Sequence, residues 1–446
     1  MGAGLNCRWH NAPWSADCSQ ECGIGYHDSG RSFCAKLAST PTKSKSSQHG
    51  TRIKYATGVS RGHCGGRMAL GTTKVDIETI VIGAGPAGLA CAAAVRKIGR
   101  SVVVLEKADK IGSSWRRHYD RLNLHTHRRQ SGLPGWPMPR HYPKYPSRDQ
   151  LITYLEDYAV HYKIAPRFGV RVLSLKRSAS WVVETDAETL TADNVIVATG
   201  IAGWPFRPEW PGMKSFPGRL IHSSEYRNPT AFSGCRALVV GFGNSGGEIA
   251  LDLCDAGNDV SLSVRGPVNI VPRDLFGIPI VTLANLQRSL PYTLVDALNA
   301  PILRLVIGDL EQFGLRRSPK GPMAQVAEDR KIPLLDIGTV DRIRRGMITV
   351  RPDITRISGS DVHFDNGAHA EFDLIVLATG YRPTLRSLLP DHHDALDSSG
   401  VPIACGRPTS HRGLFFCGHI AVATGQLREI GLEARRIAGA IRGGAS

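Results

Sequence analysis

The feature that most constrains this chain is a short unit that occurs twice: a strand of branched apolar residues, a glycine turn and the start of a helix. In the first copy Ile77-Glu-Thr-Ile-Val-Ile82 runs straight into Gly83-Ala84-Gly85-Pro86-Ala87-Gly88. Leu89 to Ile98 then has helical spacing and is closed by Gly99, and Ser101 to Leu105 is a second strand that ends at Glu106. In the second copy Arg236 to Val240 leads into Gly241-Phe242-Gly243-Asn244-Ser245-Gly246, a helix is expected over Glu248 to Asp255, and Val260 to Val264 ends at Arg265. Such units bury both faces of their strands only in a parallel sheet covered by helices, so the chain must be α/β. Two further apolar runs end alike, Asn194 to Thr199-Gly200 and Leu374 to Thr379-Gly380-Tyr381, and each unit is expected to take one of them.

Glycine turns of this kind, placed between a strand and a helix, hold pyrophosphate. Gly83 makes the tight turn, Gly85 lets backbone approach the phosphates and Gly88 lets helix and strand pack. The helix start supplies free N–H groups and a positive dipole end. Glu106 lies at the place of the acid that binds a ribose hydroxyl, and a carboxylate there repels a 2′-phosphate, so the first site suits FAD or NAD. The matching residue of the second unit is Arg265, whose guanidinium can hold a 2′-phosphate, so NADPH is the expected second ligand. The fold reading is therefore two Rossmann-like dinucleotide-binding domains, the NADPH domain inserted into the FAD domain. Its boundaries are placed at 75–205 for the first part of the FAD domain, 206–335 for the NADPH domain with a substrate-covering segment, and 336–446 for the second part of the FAD domain. Two dinucleotides point to hydride passing from a nicotinamide to a flavin.

The rest of the composition narrows where the electrons go. The ten cysteines contain no Cys-x-x-Cys, which argues against a dithiol-disulfide enzyme and leaves dioxygen or a quinone as acceptor. A net charge of +16 would also fit a nucleic-acid binder, but no recognition motif is visible, and two anionic dinucleotides account for much of it. No apolar run is long enough to span a membrane and no secretory pattern is present, so a cytoplasmic protein is expected. Residues 1–74 differ in texture. They are rich in Ser, Gly, His and basic residues, with nine Lys/Arg against three Asp/Glu through Arg67, and are expected to be a disordered extension. An upstream segment with Met68 as the functional start, or a targeting peptide, are the other readings. No metal site is expected, because the clustered Cys7, Cys18, Cys22, Cys34 and Cys64 lack a second close pair. Whether the chain works alone or as a homodimer is left open.

Between the two units stands Phe216-Pro-Gly-Arg-Leu-Ile-His222-Ser-Ser-Glu-Tyr226-Arg227. This resembles the signature of class B flavin-dependent monooxygenases, with Tyr226 where Baeyer–Villiger members usually carry Trp. Tyr119-Asp-Arg-Leu-Asn-Leu-His125, His141 to Pro146 and Ile332 to Gly338 are most similar to the YUCCA-type branch, the indole-3-pyruvate monooxygenases. The resemblance implies that NADPH reduces FAD, that dioxygen adds to it as a C4a-(hydro)peroxide, and that a small organic substrate is oxygenated. A 2-oxo acid would lose carbon dioxide; an amine or sulfide oxygenase, a Baeyer–Villiger enzyme, and a non-oxygenating reductase or redox sensor are the alternatives. It also implies His222, Tyr226 and His125 as catalytic candidates, His125 standing where other members place an asparagine beside the flavin, and Tyr226 with Arg227 as holders of the linker. Lys107, Ser114, Trp115 and Leu122 join the expected flavin contacts, with Thr199 and Gly200. Asn244 and Ser245 are expected at the NADPH pyrophosphate, and Thr379 and Gly380 are expected among the cofactor contacts. Segment 267–330 either roofs the substrate site or caps the fold without touching ligand.

Overall fold

A computed structural model describes residues 77–444. The expectations for residues 1–74 and for a start at Met68 lie outside the described residues.

The first sheet contains β1 (Ile77–Ile82), β2 (Val103–Glu106), β3 (Arg167–Phe168), β4 (Val172–Arg177), β5 (Trp181–Thr185) and β6 (Thr189–Val197), in the spatial order β3-β2-β1-β6-β5-β4. Strands β3, β2, β1 and β6 run parallel, while β5 and β4 are antiparallel additions. Strand β1 is buried almost throughout because α1 covers one face and the segment 385–396 packs on the other, which is why it reads as an unbroken apolar run. Helix α1 (Pro86–Lys97) crosses from β1 to β2, with Pro86 in its first turn and Arg96 and Lys97 in its last. Its start, three residues before the expected Leu89, takes in the end of the glycine turn. Helix α2 (Arg148–His161) begins at Ser147, whose hydroxyl accepts the Gln150 N–H while the Gln150 side chain accepts the Ser147 N–H.

The second sheet is parallel throughout. It contains β7 (Arg219–His222), β8 (Arg236–Val240), β9 (Asp259–Ser263), β10 (Ile348–Arg351) and β11 (Leu374–Leu377), in the order β10-β9-β8-β11-β7. Helix α3 (Asn244–Asp255) joins β8 to β9. Helices α4 (Ile280–Leu286), α5 (Tyr292–Ile307) and α6 (Pro322–Asp329) come from the segment after β9. The chain then returns to the first sheet: β12 (Leu414–Phe416) pairs with β6, and α7 (Gln426–Gly443) packs on α1.

The boundary expected at residue 336 does not follow the sheets. Strands β10 and β11 lie beyond it and pair with β9 and β8, so the second sheet continues to Leu377. The reason is that a parallel strand is placed by partners far away in sequence, which a local apolar run does not identify.

Past β12, His419 is buried, and its Nε2 lies 3.2 Å from the Val197 carbonyl. Burial holds this imidazole down to about pH 4 against an ordinary 6.5, with the Val197 hydrogen bond opposing the shift. The unfolded chain therefore takes up a proton below about pH 6.5 that the fold refuses until about pH 4. The contribution to stability is complete above that window and is lost as pH falls through it, by up to about 3 kcal/mol. Chemical denaturation at pH 7.5 and pH 5 is expected to show this loss, with His419→Gln shrinking the difference between them by about 2 kcal/mol. An undiminished difference would assign the acid sensitivity to other groups.

Candidate active site

Each glycine turn sits where neighbouring strands leave in opposite directions. Strand β1 lies between β2 and β6, and β8 lies between β9 and β11, the switch points at which open α/β sheets bind ligands. At the first turn a Cβ on Gly88 would lie 1.8 Å from the Gly83 carbonyl oxygen, so only glycine lets α1 approach β1 this closely. A Cβ on Gly85 would meet no protein atom within 4 Å, and that open side faces a cavity. Glu106, at the end of β2, is buried. It accepts the N–H of Ala84 at 2.8 Å and of Ala108 at 3.0 Å, which fixes its carboxylate at the cavity wall.

The cavity holds about 1100 Å³, just above the ~300–1,000 Å³ of ordinary small-molecule pockets. It brings together twelve residues expected from the first unit: Gly83, Gly85, Pro86, Ala87, Glu106, Lys107, Ser114, Trp115, Leu122, His125, Thr199 and Gly200. The second unit contributes Asn244, whose Oδ1 accepts the Leu335 N–H at 2.8 Å. Ala84 and Gly88 lie off the wall. So do Gly241, Phe242, Gly243, Ser245, Gly246, Arg265, Thr379, Gly380, His222 and Tyr226.

His222 closes β7 with a fully buried ring. Its Nδ1 accepts the Ser224 N–H at 3.1 Å, and its Nε2 lies 3.1 Å from the Gly380 carbonyl. Burial lowers its pKa, which matches a neutral ring donating from Nε2. Tyr226 stacks on Phe232 and donates to Asp252 at 2.8 Å inside the core of the second sheet. Arg227 donates to the carbonyls of Arg116 and His118. The stretch from Phe216 to Arg227 thus acts as a clamp across the second sheet and onto residues 116–118. Tyr226→Phe is expected to cost about 1–3 kcal/mol of unfolding free energy, because the half-buried Asp252 carboxylate loses this donor. Denaturant titration measures it, and a fall in turnover beyond tenfold at unchanged stability would place Tyr226 in the chemistry.

Sequence reading missed one part of the cavity wall and left another open. Arg117 and His118 line it beside Trp115, in a segment with no motif of its own. The other part is an apolar lobe built from Val281, Leu283 and Ala284 of α4, Ile302 and Leu303 of α5, and Met323 and Val326 of α6. Part of segment 267–330 therefore lines the cavity, and its mixed apolar and basic character was the available signal. Among the described residues, His392, Asp394 and His411 bring candidate ligand atoms within 4.8 Å of one another, off the cavity wall.

Similarity to known proteins decides the family. The pyridine nucleotide-disulphide oxidoreductase family matches residues 80–274. Indole-3-pyruvate monooxygenase YUCCA1 of rice (Oryza sativa subsp. japonica) is 42% identical over 328 residues, spanning 72% of this chain and 81% of that protein. The chain belongs to the YUCCA-type flavin-dependent monooxygenases. Indole-3-pyruvate monooxygenase YUCCA6 of Arabidopsis thaliana is 37% identical over 372 residues, with 80% of this chain and 88% of that protein covered. A flavin-containing monooxygenase from Stenotrophomonas maltophilia shares the fold, with a TM-score of 0.63 at 23% identity over 83% of this chain and 99% of its own. As a flavin monooxygenase the protein is an enzyme and a flavoprotein that uses FAD and NADPH. Among the described residues, no helix is long and apolar enough to cross a membrane.

Proposed function

We propose that this flavin monooxygenase binds FAD along the first glycine turn and oxygenates a small organic substrate in the apolar lobe, with a 2-oxo acid undergoing oxidative decarboxylation as the leading reaction. The observation that carries this reading is one cavity running from Gly85 and Glu106 to the lobe on α4, α5 and α6. The residues fit the flavin nucleotide. The first turn of α1 offers N–H groups to the pyrophosphate, the fixed Glu106 carboxylate meets the ribose, and Lys107, Ser114, Trp115, Leu122, His125, Thr199 and Gly200 surround what remains. NADPH is assigned to the second turn, with Asn244 and Ser245 at its pyrophosphate and Arg265 at its 2′-phosphate. FAD, reduced by NADPH, supplies the reaction with dioxygen. The chain's own residues bind, orient and keep water out. His222 acts at one remove, holding the Gly380 carbonyl at the end of β11.

The 2-oxo acid is supported by the names of the relatives, which act on indole-3-pyruvate. A second reading has its own support. The lobe residues of α4, α5 and α6 include one charged side chain, Asp296, and it accepts the N–H groups of Met323 and Ala324 at the start of α6. Among the described residues, those that these helices give to the lobe include no cation for a carboxylate, Arg304 of α5 lying off the cavity wall, which favours oxygenation of an uncharged amine or sulfide. The test is anaerobic reduction of the purified flavoprotein by NADPH followed by dioxygen and product analysis. Carbon dioxide matching substrate consumed is expected, whereas an N- or S-oxide would move the assignment to the second reading. Flavin that NADPH does not reduce would overturn both.

A further inference from the structure

Glu248 is a carboxylate where an amphipathic helix should not have one. It is the fifth residue of α3 and is 2% exposed. An unpaired carboxylate at that depth is costly, and its usual remedy is a paired and hydrogen-bonded partner. The nearest base is His125, whose Nε2 lies 2.9 Å from Glu248 Oε1. That distance is an ion-pair distance without hydrogen-bond alignment: Oε1 and both ring nitrogens are buried and none has a hydrogen-bond partner. Tyr119, 1% exposed, lies beside them, and its hydroxyl is held well above its ordinary range by burial and next by the Glu248 carboxylate.

The two partners come from different parts of the molecule. His125 belongs to the stretch before α2 and lines the cavity, while Glu248 follows Gly246 by two residues on the helix of the second glycine turn. We propose that Glu248 is the positioning residue of His125. It holds the imidazole through Nε2 and so sets how the His125 ring meets the cavity that would hold the flavin. This rests on the flavin reading above. It ties the helix of the second turn to the wall of the flavin site through one pair of side chains.

The experiment is a double-mutant cycle with His125→Asn, Glu248→Gln and the combined variant, each purified as the full chain with FAD. The first readout is thermal and needs no turnover. His125→Asn strands the carboxylate and is expected to lower Tm by on the order of 5 °C, and adding Glu248→Gln restores most of that loss. Additive losses would overturn the pairing. The second readout is the absorbance and midpoint potential of the bound flavin together with kcat and KM. Each single variant is expected to shift the flavin spectrum and lower kcat about tenfold with KM within twofold, and the double variant to be no worse than either single. A spectrum indifferent to both singles, or a full Glu248→Gln effect persisting on top of His125→Asn, would overturn the proposal. The two ideas fail separately: a wild-type protein without flavin sinks the function, and an additive thermal cycle sinks the pair.

Discussion

Gly88→Ala is expected to yield a protein without bound flavin, and Gly246→Ala a yellow protein that NADPH scarcely reduces. The two glycines hold the same station in the two units. A Cβ on Gly88 would stand 1.8 Å from the Gly83 oxygen and 2.9 Å from its carbonyl carbon; on Gly246 it would stand 1.9 Å and 3.0 Å from the same atoms of Gly241. In both cases the obstacle is backbone, so no rotamer change relieves it, and the turn must open. Overpacking of this kind costs about 1–3 kcal/mol or more in a core. Here it also drags the first N–H groups of the helix away from the phosphates they are placed to meet. The two failures differ because the second sheet is built from strands inserted between β6 and β12 of the first. Damage at Gly246 leaves β1, α1 and Glu106 in place. The flavin-to-protein absorbance ratio measures the first effect, with less than a tenth of wild-type flavin expected in Gly88→Ala. Anaerobic stopped-flow reduction measures the second, with a rate on the order of 100-fold slower expected in Gly246→Ala at normal flavin content, the size of losing about 3 kcal/mol of orientation. A Gly246→Ala protein reduced at the wild-type rate would take NADPH away from the second turn.

That contrast also explains what the sequence could and could not tell. β1 and β8 have the expected bounds, Ile77–Ile82 and Arg236–Val240, because strand, glycine turn and helix are encoded within a few adjacent residues. Glu106 was legible for the same reason: it stands at a strand end whose position the turn already sets. The boundary at 336 failed because β10 and β11 are assigned by partners more than 80 residues away in sequence. The apolar lobe was half legible. Helices α4, α5 and α6 are mixed in polarity, and what makes them a wall is their arrangement around the cavity. His222 and Tyr226 were read as chemistry through a resemblance, and the structure puts both in hydrogen bonds that hold β7, β11 and α3 together. Glu248 was passed over for the opposite reason. A glutamate in a helix is ordinarily solvated, and its burial against His125 depends on a segment more than 100 residues upstream.

Arg265→Ala is expected to lower the preference for NADPH over NADH by about 10–100-fold, the loss of one charge-assisted contact worth about 1.5–3 kcal/mol. The first unit shows what a committed strand-end residue looks like: Glu106 is buried and tied to two backbone N–H groups. Arg265 is the reverse. It is exposed just past β9, and among the described residues its guanidinium makes no hydrogen bond or ion pair. Two further arginines flank that strand end. Arg316 donates from Nη2 to the Arg265 carbonyl at 2.9 Å, and Arg351 on β10 stands in register with Ser263 with its Nε buried and without a partner. Excess positive charge at one strand end suits a multivalent anion, and a 2′-phosphate is such an anion. The expected signature is a raised KM for NADPH with NADH kinetics unchanged, since NADH carries no phosphate at that carbon. Equal losses with both coenzymes would mean a damaged fold. An unchanged ratio in Arg265→Ala that falls in Arg351→Ala would move the phosphate to β10, and a ratio unchanged in both would remove this strand end from coenzyme choice.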